Sequence, residues 1–324
     1  MAALVDPFPQ RSEIADLRRL DAADLEPLLR EEIDEWERLL SWDFSSSAAL
    51  VRKFAASHSL NGFALLDRGE VAGYGYTVLE DQKGLIGDLF VRAPWRSADA
   101  EARLFRALFD SLMEAPGVCR IESQLMLIDP EAARALQRER FVRLFERVLM
   151  TRDAATPFAP GANPALQRYY LEQWGDHHQD AAANVIALAY IDHMDARIND
   201  QYRSLAGARR FLYNIVQFPG CGTFHRPGSF VAFDRATGSM AGLVLSSFVA
   251  RRVAHIAQIC VTPQARRAGL GYELLRQAAL RLTEAGADRI SLTVTVANTG
   301  ALQLYQRSGF SEIRRFHAYV WESY

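Results

Sequence analysis

The segment from His255 to Leu282 leaves the chain little freedom in what it can build. HIAQICV (255–261) is apolar and rich in β-formers, RRAGLG (266–271) is a basic turn with two glycines, and YELLRQAALRL (272–282) carries apolar residues at helical spacing. The pattern predicts a strand, a turn and a helix in succession. Glycine lets the backbone approach a ligand closely, and the unpaired N–H groups and dipole of a helix N-terminus favour negative charge. The segment therefore predicts a phosphate cradle inside an α/β fold.

The same order of elements occurs twice. Residues 11–153 read as strand, helix, hairpin (GFALLDRGEVAGYGYTVLE), strand, helix, strand, short helix and strand, and residues 165–324 repeat that order with an added helix. At one constant spacing Val91, Arg96, Leu104, Arg106, Leu112 and Glu114 recur as Val261, Arg266, Leu274, Arg276, Leu282 and Glu284. Between the halves TPFAPGANP (156–164) holds three prolines and a glycine with no amphipathic period, which predicts a linker over 154–164. The expectation is a mixed α/β (α+β) sheet in each of two domains, 11–153 and 165–324. In the second half LQRYYLEQW is expected to be a strand.

Composition narrows the function. A formal net charge of −2 gives no global basic field, so nucleic acid is not expected as a partner. Cys119, Cys221 and Cys260 are too few and too scattered for a disulfide framework or a metal clip. No apolar run approaches the roughly 20 residues that span a bilayer, and MAALVDPFPQRSE lacks a secretory signal pattern. A cytoplasmic protein without membrane attachment is expected; monomer and homodimer stay open. His177, His178 and His193 form no metal-binding motif, so no metal is expected.

The set V-T-P (261–263), R-x-x-G-x-G (266–271), helix, strand, Asn298-x-x-Ala301, a short helix bearing Tyr305, and Gly309–Phe310 resembles the GNAT superfamily of acyl-CoA-dependent N-acetyltransferases. The resemblance is close over 255–320 and rests on element order over the rest of 165–324. The stretch 11–153 looks like a diverged copy. It implies two tandem GNAT-like acyl-CoA N-acyltransferase domains, each with a sheet splayed open between two central strands. It also implies acetyl-CoA as co-substrate and direct attack by the amine of a small molecule or peptide in a ternary complex. A non-catalytic acyl-CoA-binding module, and an acyltransferase with another donor or a hydroxyl acceptor, stay open.

Carried onto this chain, the resemblance assigns the pyrophosphate to the backbone of Arg266, Arg267, Ala268, Gly269, Leu270 and Gly271. It assigns the pantetheine amides to Ile259, Cys260 and Val261, with an oxyanion-binding N–H at Cys260 or Val261. Asn298 is a pantetheine ligand or a helix N-cap. Tyr305 is the general acid for the departing thiolate, or a packed tyrosine. His255 stands where relatives carry a base, or is structural. Strand alternation turns Gln258 to the face opposite His255. Asp192, Asp195 and Asp200 lie in a polar stretch near the implied acceptor site and are either a cation-attracting group or a solvated surface. The first copy has Asp99, Glu101, Leu136, Leu85 and Asp129 in place of Gly269, Gly271, Tyr305, His255 and Asn298. That copy is therefore expected to be non-catalytic.

Overall fold

The structure is a computed structural model that describes residues 12–158, 163–218 and 220–323. The chain forms two compact units. The first takes the stretch up to Asp34, Ala48–Leu144 and the chain from Tyr319; the second takes Glu35–Ser47 and Phe145–Ala318.

The first unit contains β1 (Glu13–Asp16), most of α1 (Ala22–Leu40) and of α2 (Ser45–Ala56), β2 (Gly62–Asp67), β3 (Glu70–Glu80), β4 (Lys83–Val91), α3 (Ala98–Glu114), β5 (Arg120–Leu125) and α4 (Arg134–Arg140). Its sheet runs β1-β2-β3-β4-β5, antiparallel except for the parallel pair β4–β5. The β2–β3 hairpin turns at Arg68 and Gly69, both at positive φ, as a tight turn between twisted strands requires. Helix α3 buries Leu104, Phe105, Leu108, Phe109 and Leu112 against Leu65, Ile86, Leu89 and Ile121. This apolar face, repeating with the helical period, fixes how the helix lies on the sheet.

The second unit contains β6 (Arg143–Asp153) from Phe145 on, α5 (Ala165–Arg168), β7 (Tyr169–Gln173), α6 (Gln179–Ala189), α7 (Asp195–Ile198), α8 (Leu205–Gln217), β8 (Thr223–Phe224), β9 (Phe230–Asp234), β10 (Met240–Ala250), β11 (Val253–Val261), α9 (Leu270–Glu284), β12 (Arg289–Thr295), α10 (Thr299–Arg307) and β13 (Ser311–Glu322) up to Ala318. Its sheet runs β6-β12-β11-β10-β9-β7, with β8 on β10; β11–β12 is the parallel pair. One face packs on α9 through Val244, Ile256, Ile290, Leu292 and Val294, and the other on α6 and α8 through Val231, Leu243 and Leu245.

The repeat extends to hydrogen-bond register. β4 pairs with β5 at Lys83–Arg120, Gly84–Ile121, Leu85–Glu122 and Ile86–Ser123; β11 pairs with β12 at Val253–Arg289, Ala254–Ile290, His255–Ser291 and Ile256–Leu292. Both ladders stop there. Just beyond, each first strand carries a bulge, at Gly87 and at Ala257, where the register against β3 and β10 slips by one. A bulge bends and twists its strand, which separates it from the parallel neighbour.

Several elements differ from the sequence reading. Helix α2 was not anticipated, and Ala165–Arg168 is a helical turn ahead of β7. Strand β6, grouped by sequence with 11–153, pairs through Arg147–Asp153 with β12 and sends Val148 and Met150 into the second core. Its apolar alternation suits either sheet, so chain order alone does not assign it. Of the linker 154–164, residues 159–162 lie outside the described residues. The rest is tied to α9 by Thr283 Oγ1 donating to Ala154 O and Asn163 Nδ2 donating to Gly269 O.

Candidate active site

The opening between β11 and β12 beyond Ile256 and Leu292 organises the second unit. β11 stays bonded to β10 through Val261. Thr262 N–H donates to Ala241 O at 2.8 Å, and backbone groups alternate along a strand. Val261 and Ile259 therefore turn their N–H and C=O groups toward the opening, whereas Cys260 turns its own toward β10. Of the two amides considered for an oxyanion, only that of Val261 faces the gap.

At the end of β11 the chain enters α9 through Arg267 (φ +61°) and Gly269 (φ +79°). Gly269 is the N-cap and supplies no side-chain cap. Among the described residues no acceptor is bonded to the N–H groups of 267–272. Such a terminus suits an anion, so the residues fit a pyrophosphate. The Arg266 N–H donates to Pro263 O at 3.3 Å, and one guanidinium nitrogen, Nη2, donates to Ala189 O at 2.7 Å, which leaves the other guanidinium N–H groups as donors. A Cβ on Gly271 would meet only Leu304 Cδ2 at 3.7 Å, whereas one on Gly269 would lie 2.8 Å from Asn163 Oδ1. Buried Glu273 accepts from Arg276, Gln277 and Asn163. Burial alone would raise its carboxyl, and these donors hold it below its usual value.

Across the opening, α10 presents Tyr305. The ring is buried and meets Phe310 edge-on at 6.0 Å, and its hydroxyl has no hydrogen-bond partner among the described residues. Burial first, then the charge of Asp195 and the neighbouring Cys260, push its phenol up, so it stays protonated at neutral pH. Asn298 is the N-cap of α10, accepting from Ala301 N–H at 3.3 Å, and its Nδ2 lies 3.4 Å from His193 Nε2. The capping role is the one its side chain performs.

With this geometry in view, comparisons with known proteins are informative. Residues 191–310 match the acetyltransferase (GNAT) family. Those residues are a GNAT acetyltransferase domain. The chain is 26% identical over 153 residues to "N-alpha-acetyltransferase MAK3" of Arabidopsis thaliana, covering 46% of this chain and 70% of that one. A GCN5-related N-acetyltransferase from Sphaerobacter thermophilus superposes with a TM-score of 0.69 at 15% identity, over 98% of this chain and 97% of its own. A tandem GNAT protein from the clavulanic acid biosynthesis pathway gives 0.55 at 13% identity, over 96% and 98%. These two share the fold.

On the face of the sheet away from α9, beside the apolar residues under α6 and α8, β12 and part of β11 carry polar side chains. β12 sends Ser291, Thr293 and Thr295 there and Ile290, Leu292 and Val294 to the core. His255 shares the polar face, and so does Gln258, because the bulge at Ala257 shifts the alternation by one. The expectation that Gln258 faces away is thus corrected; it donates to Tyr190 Oη at 3.1 Å. His255 is buried, and burial followed by the charge of Arg147 pulls its imidazole down to about 4. Ser291 Oγ donates to Ala254 O and lies 2.9 Å from His255 Nδ1. That proton use makes Nδ1 the donor to Ser291 and leaves Nε2 unprotonated. Trp42 lies over the imidazole with ring centres 5.1 Å apart. Burial pushes the Cys260 thiol up to about 12, which makes it a poor nucleophile.

The stretch 190–204 of the GNAT domain closes over this face. Tyr190 and Tyr202 stack at 4.1 Å, and Thr295 Oγ1 donates to Asp195 Oδ1 at 2.5 Å. Asp195 thus reaches the opening, whereas Asp192 is exposed. The sequence reading passed over Thr295, legible in the alternation of RISLTVT, and over Trp42 and Arg147, which no local pattern links to the GNAT motifs. Away from this region Glu172, His177 and His178 cluster on the surface. His178 Nδ1 accepts from Gly175 N–H at 3.0 Å, and its Nε2 lies 3.4 Å from Glu172 Oε2. No helix among the described residues is long and apolar enough to cross a membrane.

Proposed function

We propose that the second unit transfers an acetyl group from acetyl-CoA to a primary amine by direct attack in a ternary complex. The observation that carries this reading is the junction of two features: β11 parts from β12 after Ile256–Leu292, and the opened strand leads into the uncapped N-terminus of α9. One supplies free strand groups for an extended amide-bearing arm, the other N–H groups for its diphosphate.

Acetyl-CoA, when bound, supplies an acyl thioester. In this reading the N–H groups of Arg267, Ala268, Gly269, Leu270 and Gly271 hold the diphosphate. Ile259 and Val261 pair with the arm, and the Val261 N–H polarises the acyl carbonyl. The amine nitrogen attacks the carbonyl carbon, the C–S bond breaks, and Tyr305 gives its proton to the departing sulfur. The proton lost by the amine leaves through water, because an imidazole pulled down to about 4 makes His255 a weak acceptor at neutral pH. Cys260, held as a thiol, carries no acyl group.

The first unit is, in the same reading, a non-catalytic partner. Ala98 and Asp99, counterparts of Ala268 and Gly269, are already helical, and Ser97 Oγ caps α3 by accepting from Ala100 N–H at 3.2 Å. The anion cradle is replaced by a capped helix. Calorimetric titration of acetyl-CoA tests both statements, followed by CoA release on adding amines. One equivalent bound per chain and amine-dependent release support them. Two equivalents contradict the role given to the first unit, and no release with any amine contradicts acetyl transfer.

A further inference from the structure

The carboxylate of Asp195 stands at the opening, and among the described residues no lysine or arginine forms an ion pair with it. Thr295, which donates to it, is the last residue of β12 and lies beyond the final β11–β12 pair. Its charge reaches the phenols of Tyr190, Tyr202 and Tyr305, helping burial push each upward, while the charge of Arg147 opposes it at Tyr202 and Tyr305. The side chain is 16% exposed, His193 Nδ1 lies 3.7 Å from Oδ2, and no lysine or arginine among the described residues pairs with it. Arg147, on the same face, donates to Thr293 Oγ1 at 3.4 Å.

The surroundings hold this carboxylate in place. Asp195 N–H donates to His193 Nδ1 at 3.2 Å, and its carbonyl accepts from Asn199 N–H, closing the single turn of α7. The stacked rings of Tyr190 and Tyr202 and the bond from Gln258 to Tyr190 anchor the stretch on β11. A partly buried anion beside neutral hydroxyls, with no ion-paired lysine or arginine among the described residues, attracts a cation more strongly than one in water.

We infer that Asp195 is the specificity-determining counter-ion for the acceptor, docking the amine as an ammonium ion that gives a proton to water before it attacks, and selecting cationic primary amines that have no carboxylate on the adjacent carbon. The inference rests on the acetyl-transfer reading above and adds the acceptor class. Amino-acid amides, peptides with a free N-terminus and diamines fit it. A free amino acid does not, because its own carboxylate comes beside that of Asp195. Asp195 acts on binding and takes no part in making or breaking the acyl bond.

Steady-state acetylation of alanine amide, alanylalanine amide, 1,4-diaminobutane and free alanine tests this in the full chain, with wild type, Asp195→Asn, Asp195→Glu and Thr295→Val. The amides and the diamine separate the two amine sources. Wild type is expected to favour the amides or the diamine over free alanine by about tenfold or more in kcat/KM, with a KM that rises with salt. Asp195→Asn is expected to raise KM for the favoured amine by about tenfold or more, to change kcat less, and to lose both salt dependence and selectivity. Its acetyl-CoA affinity by calorimetry should match wild type. Asp195→Glu and Thr295→Val, which keep the charge, should keep the salt dependence. An Asp195→Asn enzyme with wild-type KM, salt response and selectivity overturns the inference while leaving acetyl transfer intact. A wild type that binds acetyl-CoA and acetylates none of the four overturns both.

Discussion

The carboxylate of Glu101 accepts a 2.7 Å hydrogen bond from the backbone N–H of Asp129. Glu101 is the counterpart of Gly271 and Asp129 that of Asn298, so a buried side chain in the first unit reaches from the first turn of α3 to the start of the helical segment after β5. In the second unit the corresponding position has no side chain at all. Gly271→Glu copies the first unit into the second. It is expected to abolish acetyl-CoA binding by calorimetry and to leave the thermal midpoint within a few degrees (~5 °C or less) of wild type, because only Leu304 Cδ2 stands near. Undiminished affinity in Gly271→Glu would show that the diphosphate binds elsewhere.

Tyr305→Phe separates chemistry from packing. The hydroxyl has no partner to lose, so stability should change by less than about 1 kcal/mol. As the proton donor to the leaving sulfur its loss should lower kcat by about 100-fold or more, with acetyl-CoA affinity unchanged. A variant with wild-type kcat would assign Tyr305 to packing alone.

His255 makes an acid-side prediction. Its folded-state value, about 4, lies below that of a free imidazole, so the unfolded chain binds the extra proton first. The stability this confers is present above the ordinary histidine range and is lost as pH falls through about 4, on the order of 3 kcal/mol in all. His255→Gln should flatten that part of a denaturation series between pH 7 and pH 4. An unchanged acid limb would show that the imidazole is not desolvated as described.

Asp88 predicts the opposite slope. Its buried carboxyl neighbours that of Glu32, which accepts from Tyr74 Oη at 2.9 Å, and its Oδ1 accepts from Leu89 N–H at 2.8 Å. Burial raises its pKa, so the folded state holds a proton that the unfolded chain gives up. The stability from that proton is present at low pH and lost as pH rises through the folded-state value. Asp88→Asn keeps an acceptor for Leu89 and offers Glu32 a permanent donor. Its thermal midpoint should therefore exceed wild type at pH 8 and converge with it at pH 4. A variant less stable at pH 8 would mean that the two carboxyls share no proton.

Local pattern made much of this legible. Strand β11, the glycines and α9 were readable because their periods and turn residues are strong, and the repeat was readable because Leu104 and Leu274, or Leu112 and Leu282, fill the same core positions. Side-chain direction past the bulge was not, since Ala257 looks like any other strand residue until its pairing with β10 is seen. The bond from Arg266 to the carbonyl of Ala189 was not legible either, since nothing in a basic glycine turn points to a carbonyl so far along the chain. Trp42 could not be connected to His255 at all: it lies outside every motif, and only the folded chain brings the two rings together.

Strand β6 lies in the sheet of the second unit although it precedes the 154–164 stretch, and the C-terminal residues of β13 belong to the first. Neither unit is a continuous length of chain. For a gene built by duplication this is a one-way step. Before it, either copy could be deleted, replaced or traded for another module; afterwards a break between the halves takes a strand from each product. The two halves are thereby inherited together.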